Sequence, residues 1–496
     1  MPCRSACKPG ARGAWRTPHG SPASQDYYRS VQEGVMEWWR QNQRQDLPWR
    51  RRLPNSSAGG SCVVATNAAR YDPYQVWVCE VMSQQTRLDT VITYHAAWMK
   101  RFPSIEALAA STENDVKAVW AGMGYYRRAM YLRKGAQYLL EWSREHGAEA
   151  KACMPSSQQE LLKVPGVGPY TAAAISSMCF GEPVCSVDGN VVRVLSRLRG
   201  EREFDPKAPA SIKEATAWGQ ELMGNTPTTS AVVCQDPSAL NQGLMELGAS
   251  VCRPGGAPLC SSCPLQQLCC ANALLRRGEI PAIEGIIPVR AAPLTKRAAR
   301  EVSVVHELPA GDNGGTNHFV VVRRPTEGLL GGMLEFPTVA TPTPSHGDET
   351  ALSVAKHPLC TVSWRGAPPP ISLTVCEGVR HIFSHIVLEV DVVHVRWPAG
   401  IDEAALLRRI AAVVDSHNNG ASGNTSPAAA RISLMSEAGL RESAPSRLML
   451  KVLHRVSPSN ATRARARKTS RAASHEDDAA TSQPKRKTVK RERIQL

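Results

Sequence analysis

The chain has 496 residues, enough for two or three domains, and its 59 Lys and Arg against 44 Asp and Glu leave a net charge of +15. No apolar run approaches bilayer-spanning length, so no membrane partner is expected. The 15 cysteines are scattered apart from one dense group, which fits a reducing compartment better than a disulfide-stapled secreted domain. Positive charge alone points only weakly to nucleic acid, because solvated tails carry it too.

The first 25 residues hold Arg4, Lys8, Arg12 and Arg16 and no acid before Asp26. Disordered leaders and mitochondrial transit peptides share that composition, although the prolines and glycines argue against a continuous amphipathic helix. A helix is expected near Tyr28 to Asn42. Residues 51–72, with PNSSAGGS, read as a loop insertion of no legible function. Helical periodicity then dominates from Pro73 to about Cys270, including the amphipathic stretch Tyr74 to Lys100. Within it, Glu80 sits in the apolar run WVCEVMSQQT. A carboxylate there is costly to leave ionised, so its pKa is expected to rise and it becomes a candidate proton donor. The alternative is a partly exposed glutamate paired to an arginine.

Val164-Pro-Gly-Val-Gly168 reads as a helix-hairpin-helix turn. Its glycines allow a tight bend, and bare N–H groups at the next helix can hold a DNA phosphate. A plain turn between packed helices is the alternative. Asp188, in VDGNVVRV, stands where another helix would start, a position where Asp also serves as N-cap. Cys252, Cys260, Cys263 and Cys269 follow, with Cys270 adjacent. Four thiolates this close suit one metal centre. Zinc is the default for two paired knuckles, but only Cys260 and Cys263 make one. The wide, tight, wide spacing suits a cubane [4Fe–4S] cluster on a wrapping loop. On spacing alone, zinc and structural cysteines stay open.

Prolines 281, 288 and 293 mark a linker. From Val302 the β-branched runs VSVVHEL, HFVVVRR and IFSHIVLEVDVVHVRW read as strands around at least one helix, hence an α+β domain. After Leu453 the chain is polar and basic, ending in PKRKTVKRER, which reads as a disordered tail and a nuclear localisation signal. The expected organisation is a disordered leader 1–25, a helical region 26–275 with the cysteine loop 252–269, a linker 276–299, an α+β domain 300–455 and a tail 456–496.

The hairpin, Asp188 and the cysteine loop, in this order, make the chain resemble the helix-hairpin-helix DNA glycosylases with an iron–sulfur cluster. Among these it resembles the MutY-type adenine glycosylases. The resemblance is strong over Leu47 to Cys269, in LPWR, WVCEVMSQQT, GMGYYRRA, VPGVGPYTA, VDGNVVRVLSRL, NQGLMELGA and the cysteine loop. It returns in LLGGMLEFP and in RHIFSHIVLEV, which resembles the Phe-Ser-His loop of the family's Nudix-like C-terminal domain. It implies a mainly α glycosylase region, a six-helix barrel plus a cluster domain, followed by a smaller α+β Nudix-like domain. It also implies a [4Fe–4S] cluster on Cys252, Cys260, Cys263 and Cys269. The substrate would be duplex DNA with adenine opposite 8-oxoguanine or guanine. A nuclear monomer is expected, with the mitochondrion as a second compartment and repair and replication proteins as partners.

The resemblance also assigns roles. Glu80 matches the acid that protonates adenine at N7. Asp188, 108 residues on, matches the anion that stabilises the oxocarbenium-like sugar, the two-carboxylate logic of glycoside hydrolysis. Asn190 would orient them. Tyr170 stands where the endonuclease III relatives carry a lysine nucleophile, so a monofunctional glycosylase is expected. Gln85 and Tyr125 match residues that insert at the lesion, and Thr86 matches a contact to 8-oxoguanine. Trp49, Arg50 and Gln242 match residues around the adenine, and Gly166 and Gly168 the hairpin. Phe383, Ser384 and His385, with His381 beside them, match the loop that contacts 8-oxoguanine. No R-E-x-x-E-E box follows LLGGMLEFP, so the second domain is expected to recognise and not hydrolyse. Two departures stand out. Seven residues separate Cys252 from Cys260 where the family has six, and Ser83 replaces a leucine beside the adenine pocket. The rival readings are a pyrimidine-damage glycosylase/lyase, disfavoured by Tyr170, and a damage-binding protein that has lost catalysis.

Overall fold

The structure, a computed structural model, describes residues 15–45, 47–50, 71–146, 154–224, 233–290, 295–310, 316–325, 328–341, 354–418, 427–443, 445–457 and 493–494. The chain divides into two units, residues 1–119 with 127–293, and residues 120–126 with 294–496.

The first unit is helical. Ser24 caps α1 (Gln25–Asn42), accepting from Tyr27 N, and the buried stripe Tyr27, Val31, Val35 and Trp39 follows helical spacing. Next come α2 (Pro73–Ser83), α3 (Leu88–Arg101), α4 (Ile105–Ala109), α5 (Glu113–Trp120), α6 (Arg127–Glu145), α7 (Gln158–Leu161) and α8 (Pro169–Phe180). The unit continues with α9 (Gly189–Arg199), α10 (Pro209–Met223), α11 (Pro237–Ser250) and α12 (Cys270–Arg276). Helix α2 packs on α3, α6 and α8, while α11 packs on α1, α8 and α9, so that α8 touches both. The approach of α1 to α11 is set by Gly243, where a Cβ would lie 2.6 Å from Val35 Cγ1.

Three expectations change here. The leader is not disordered up to residue 25. Trp15 is fully buried beside Tyr27 and Tyr28, and Arg199 stacks 5.2 Å over its ring. Nor does the stretch after α12 behave as a linker. Ile280, Ile283 and Ile287 pack with Ala271, and Arg197 Nε donates to Ile287 O at 2.8 Å. The amphipathic run Tyr74 to Lys100 is two helices, broken after Ser83. Most of the expected insertion, 51–70, lies outside the described residues, while Asp72 caps α2 through Tyr74 N and Gln75 N.

The second unit is a mixed sheet. Strand β1 (Arg297–Leu308) lies at its centre, parallel to β6 (Ile386–Arg396) and antiparallel to β2 (His318–Arg323) and β4 (Thr338–Thr341). Strands β3 (Leu334–Glu335) and β7 (Ile432–Ser436) pair with β2, and β5 (Ser372–Ile382) pairs with β6. Alternate residues feed opposite faces. Val302, Val304, Val320 and Val393 meet Leu406, Ile410 and Val414 of α13 (Glu403–Asn418). Val305, Phe319, Val321 and Val392 meet Met449, Val452 and Leu453 of α15 (Arg447–Val456), which follows the short α14 (Glu437–Glu442). In the expected disordered tail, Val456 still belongs to α15, Arg493–Ile494 forms strand β8 on β5, and residues 458–492 and 495–496 lie outside the described residues.

Candidate active site

Glu80 lies on the last turns of α2, buried with its apolar neighbours. Tyr170, one residue into α8, donates its hydroxyl to Glu80 Oε2 at 2.7 Å. Burial is the largest influence and raises the Glu80 carboxyl above its ordinary range. The Tyr170 bond and the Arg50 guanidinium oppose that shift, and the Asp188 charge reinforces it. Burial also pushes the Tyr170 phenol well up, so it stays a donor. The two carboxylates, far apart in sequence, therefore sense one another.

Asp188 is the N-cap of α9. Its Oδ1 accepts from Asn190 N at 2.9 Å and Val191 N at 2.8 Å, while Asn190 Nδ2 donates to Oδ2 at 2.7 Å. These bonds satisfy helix-start N–H groups and fix the carboxylate's direction. The capping and functional readings of Asp188 are thus compatible. The chain of contacts continues. Arg193 Nη2 donates to Asn190 Oδ1 at 2.9 Å and to Gly248 O at 2.7 Å, and Arg193 Nε donates to Cys252 O at 2.8 Å.

Arg50 closes another side. Its Nη1 donates to Glu246 Oε2 at 2.9 Å, while Arg44 Nε donates to Oε1 at 2.7 Å. Trp49 is buried and packs edge-on against His95. Gln242 is fully buried, with Nε2 donating to Ser238 Oγ at 3.1 Å, and among the described residues its Oε1 has no hydrogen-bond partner. Sequence reasoning did not single out Arg193 or Glu246. The available signal was a charge inside an apolar helical run, VVRV and LMELG, the same signal that marked Glu80.

The hairpin joins α7 to α8. Gly166 has φ +84°, and a Cβ there would sit 2.4 Å from Tyr131 Cβ, so only glycine fits. Gly168 is the N-cap of α8 and offers no side-chain cap. Gln85 and Tyr125 are both exposed non-glycine residues at positive φ, +57° and +50°. Such a conformation costs about 1–3 kcal/mol per residue and persists where the surroundings enforce it. Thr86 follows Gln85, its hydroxyl 3.4 Å from Gln84 O. Ser83 ends α2, its Oγ 3.7 Å from Cys79 Sγ.

Cys252, Cys260, Cys263 and Cys269 line one cavity of about 330 Å³, mouth included, with Arg197, Val251, Leu259 and Ile283. Among the described residues, no three His, Cys, Asp or Glu side chains converge as ligands of a single ion. Arg197 Nη1 donates to Cys252 Sγ at 3.2 Å. Cys270 turns elsewhere, its Sγ 3.4 Å from Arg16 O.

In the second unit, Phe383, Ser384 and His385 form the β5–β6 turn. Arg297 N donates to His385 O at 3.0 Å, Lys296 Nζ donates to Phe383 O at 2.9 Å, and Ser384 Oγ lies 3.1 Å from His385 Nδ1. Ser384 and His385 are exposed, and His381 packs on the Phe383 ring.

The buried Glu80, bonded to Tyr170, and the helix-capping Asp188 thus share one electrostatic environment. The family model described as HhH-GPD superfamily base excision DNA repair protein matches residues 78–219. The adenine DNA glycosylase of Rattus norvegicus is 33% identical, covering 73% of this chain and 70% of its own. That of Homo sapiens is 33% identical over 75% of this chain and 69% of its own. A solved thermostable thymine-DNA glycosylase is 22% identical, covers 50% of this chain and 97% of its own, and has a TM-score of 0.37. The chain belongs to the adenine DNA glycosylase family. It is an N-glycosylase of base excision repair, and DNA is its substrate.

Proposed function

We propose that the chain removes adenine paired with 8-oxoguanine, and more slowly adenine paired with guanine, without cutting the strand. The observation that carries this reading is the 2.7 Å bond from Tyr170 to the buried Glu80, whose carboxyl is raised by burial and further by the Asp188 charge. The adenine leaves the stack before it is cut. Glu80 then gives its proton to N7, and the C1′–N9 bond breaks with its electron pair passing to the base. The Asp188 carboxylate, fixed by Asn190, faces the cationic sugar. Water adds at C1′ and yields a proton to one of the two carboxylates. Tyr170 offers no amine, so no Schiff base forms and the product is an intact strand with an abasic site.

Trp49, Arg50 and Gln242 frame the adenine, and the buried unpaired Oε1 of Gln242 suits the donor edge of a purine. Gln85 and Tyr125 fill the vacated stack and Thr86 contacts the opposite base. Gly166 and Gly168 hold a phosphate at the hairpin. Phe383, Ser384 and His385 read 8-oxoguanine. The four cysteines, Cys252, Cys260, Cys263 and Cys269, would hold a [4Fe–4S] cluster. The wide, tight, wide spacing of the four supports this, as do the partly apolar walls around them and Arg197, which is positioned to donate to a thiolate. Such a cluster would be structural or DNA-responsive, since the hydrolysis itself needs no electron transfer. The basic run 484–493 supports nuclear import, and the acid-free leader supports a mitochondrial form.

Single-turnover release from duplexes bearing adenine opposite 8-oxoguanine, guanine or thymine tests the reading, each product analysed with and without alkali. Fast release on the first, with cleavage only after alkali, is expected. Nicking without alkali would reinstate a lyase, and binding without release would mean catalysis is lost.

A further inference from the structure

Arg128, early on α6, reaches across to the end of α2. Its Nη1 donates to the carbonyls of Val81 at 2.9 Å, Met82 at 3.0 Å and Gln84 at 2.6 Å, and its Nη2 to Thr86 Oγ1 at 3.3 Å. These carbonyls are the closing ones of α2, where a helix leaves C=O groups unsatisfied and presents the negative end of its dipole. One cation thus serves four acceptors. A planar guanidinium can hold carbonyls with one nitrogen and a hydroxyl with the other, and an ammonium cannot span both.

Gln85 sits between these acceptors, in the left-handed region although it is not glycine. Its neighbours on both sides, Gln84 and Thr86, are tied to Arg128, and Thr86 N closes the turn on Ser83 O at 3.3 Å. We propose that Arg128 is a positioning residue for adenine excision: it clamps the α2 turn so that Gln85 and Thr86 are preset before DNA arrives. This rests on the roles proposed above for those two residues. Without the guanidinium, the three carbonyls turn to water and Gln85 relaxes toward an ordinary φ, carrying its side chain away.

A double-mutant cycle decides it, read as single-turnover release at saturating protein together with duplex Kd and Tm. Arg128→Met is expected to slow release about 10- to 100-fold, and Arg128→Lys to recover part of that loss. In a Gln85→Ala background the clamp has little left to place, so adding Arg128→Met should slow release hardly further. Losses that multiply in both backgrounds, in step with Tm, would overturn the clamp as mere packing. A wild-type rate for Arg128→Met beside a slow Gln85→Ala would remove the clamp and leave the Gln85 reading standing. A wild-type rate for Gln85→Ala would remove the Gln85 reading and the clamp with it. Should Arg128→Met fail to fold, Arg128→Lys, which keeps charge and loses the fork, runs the same cycle.

Discussion

Glu80 carries opposite consequences for activity and stability, and both follow from its raised carboxyl. An unfolded glutamate titrates near 4.5, whereas the folded one holds its proton to higher pH. Between those two values the native state binds more protons than the unfolded state, so stability falls as pH rises through that window. Above that window the buried Glu80 charge lowers stability, the trade-off expected of the acid proposed above. Glu80→Gln retains an acceptor for the Tyr170 hydroxyl and removes the titration. It should cut base release by about 10²–10⁴-fold while duplex binding survives. It should also stabilise the fold by about 1 kcal/mol at pH 7, a gain that shrinks toward pH 4. Melting curves across pH check the sign. Wild-type release should in turn fall as pH rises past the folded value of Glu80. A variant that still turns over adenine would refute the acid role.

At the level of elements, what the sequence made legible was periodic or compositional. The helix-rich first unit, the hairpin glycines and the β-branched runs of the second unit could be read because each is a local pattern. Partners brought together from distant segments could not. Trp15 looked like part of a leader because its partners, Tyr27, Tyr28 and Arg199, are not local to it. Ile280 to Ile287 looked like a linker because prolines punctuate a stretch whose isoleucines pack on α12. Glu246 was missed in the same way. It ties α11 to Arg44, just past the end of α1, and to Arg50, at 2.7 and 2.9 Å. Burial works against its charge, yet Arg50 and Arg44 hold its carboxyl below the ordinary 4.5. A depressed carboxyl contributes stability that is present above 4.5 and lost as pH falls through the folded value. Glu246→Gln, which strands the buried end of Arg50, should cost about 3 kcal/mol near neutral pH. The deficit against wild type should narrow in acid. A constant deficit across pH would mean that the glutamine is simply packed worse.

For the whole molecule, the division of labour between the two units gives the most exposed prediction. The buried Glu80, the capping Asp188 and the cysteine cavity all lie in the first unit, so the hydrolysis proposed above draws on that unit's side chains. Ser384 and His385 lie in the second, exposed at a turn anchored to β1 through Arg297 and Lys296. A reader of the opposite base needs donors and acceptors that are solvated before binding yet fixed in direction, and that turn meets both conditions. Replacing Phe383, Ser384 and His385 together by alanine leaves the backbone anchors in place, since both accept through main-chain oxygens. One or two lost hydrogen bonds are worth about 1.4 kcal/mol of discrimination, roughly tenfold. The ratio of release rates opposite 8-oxoguanine and opposite guanine should therefore fall by about that factor. Single-turnover rates on the two duplexes, measured side by side, give the ratio directly. If both rates fell equally, the turn would be supporting duplex binding in general, and recognition of the oxidised base would have to lie with Thr86 and its neighbours in the first unit.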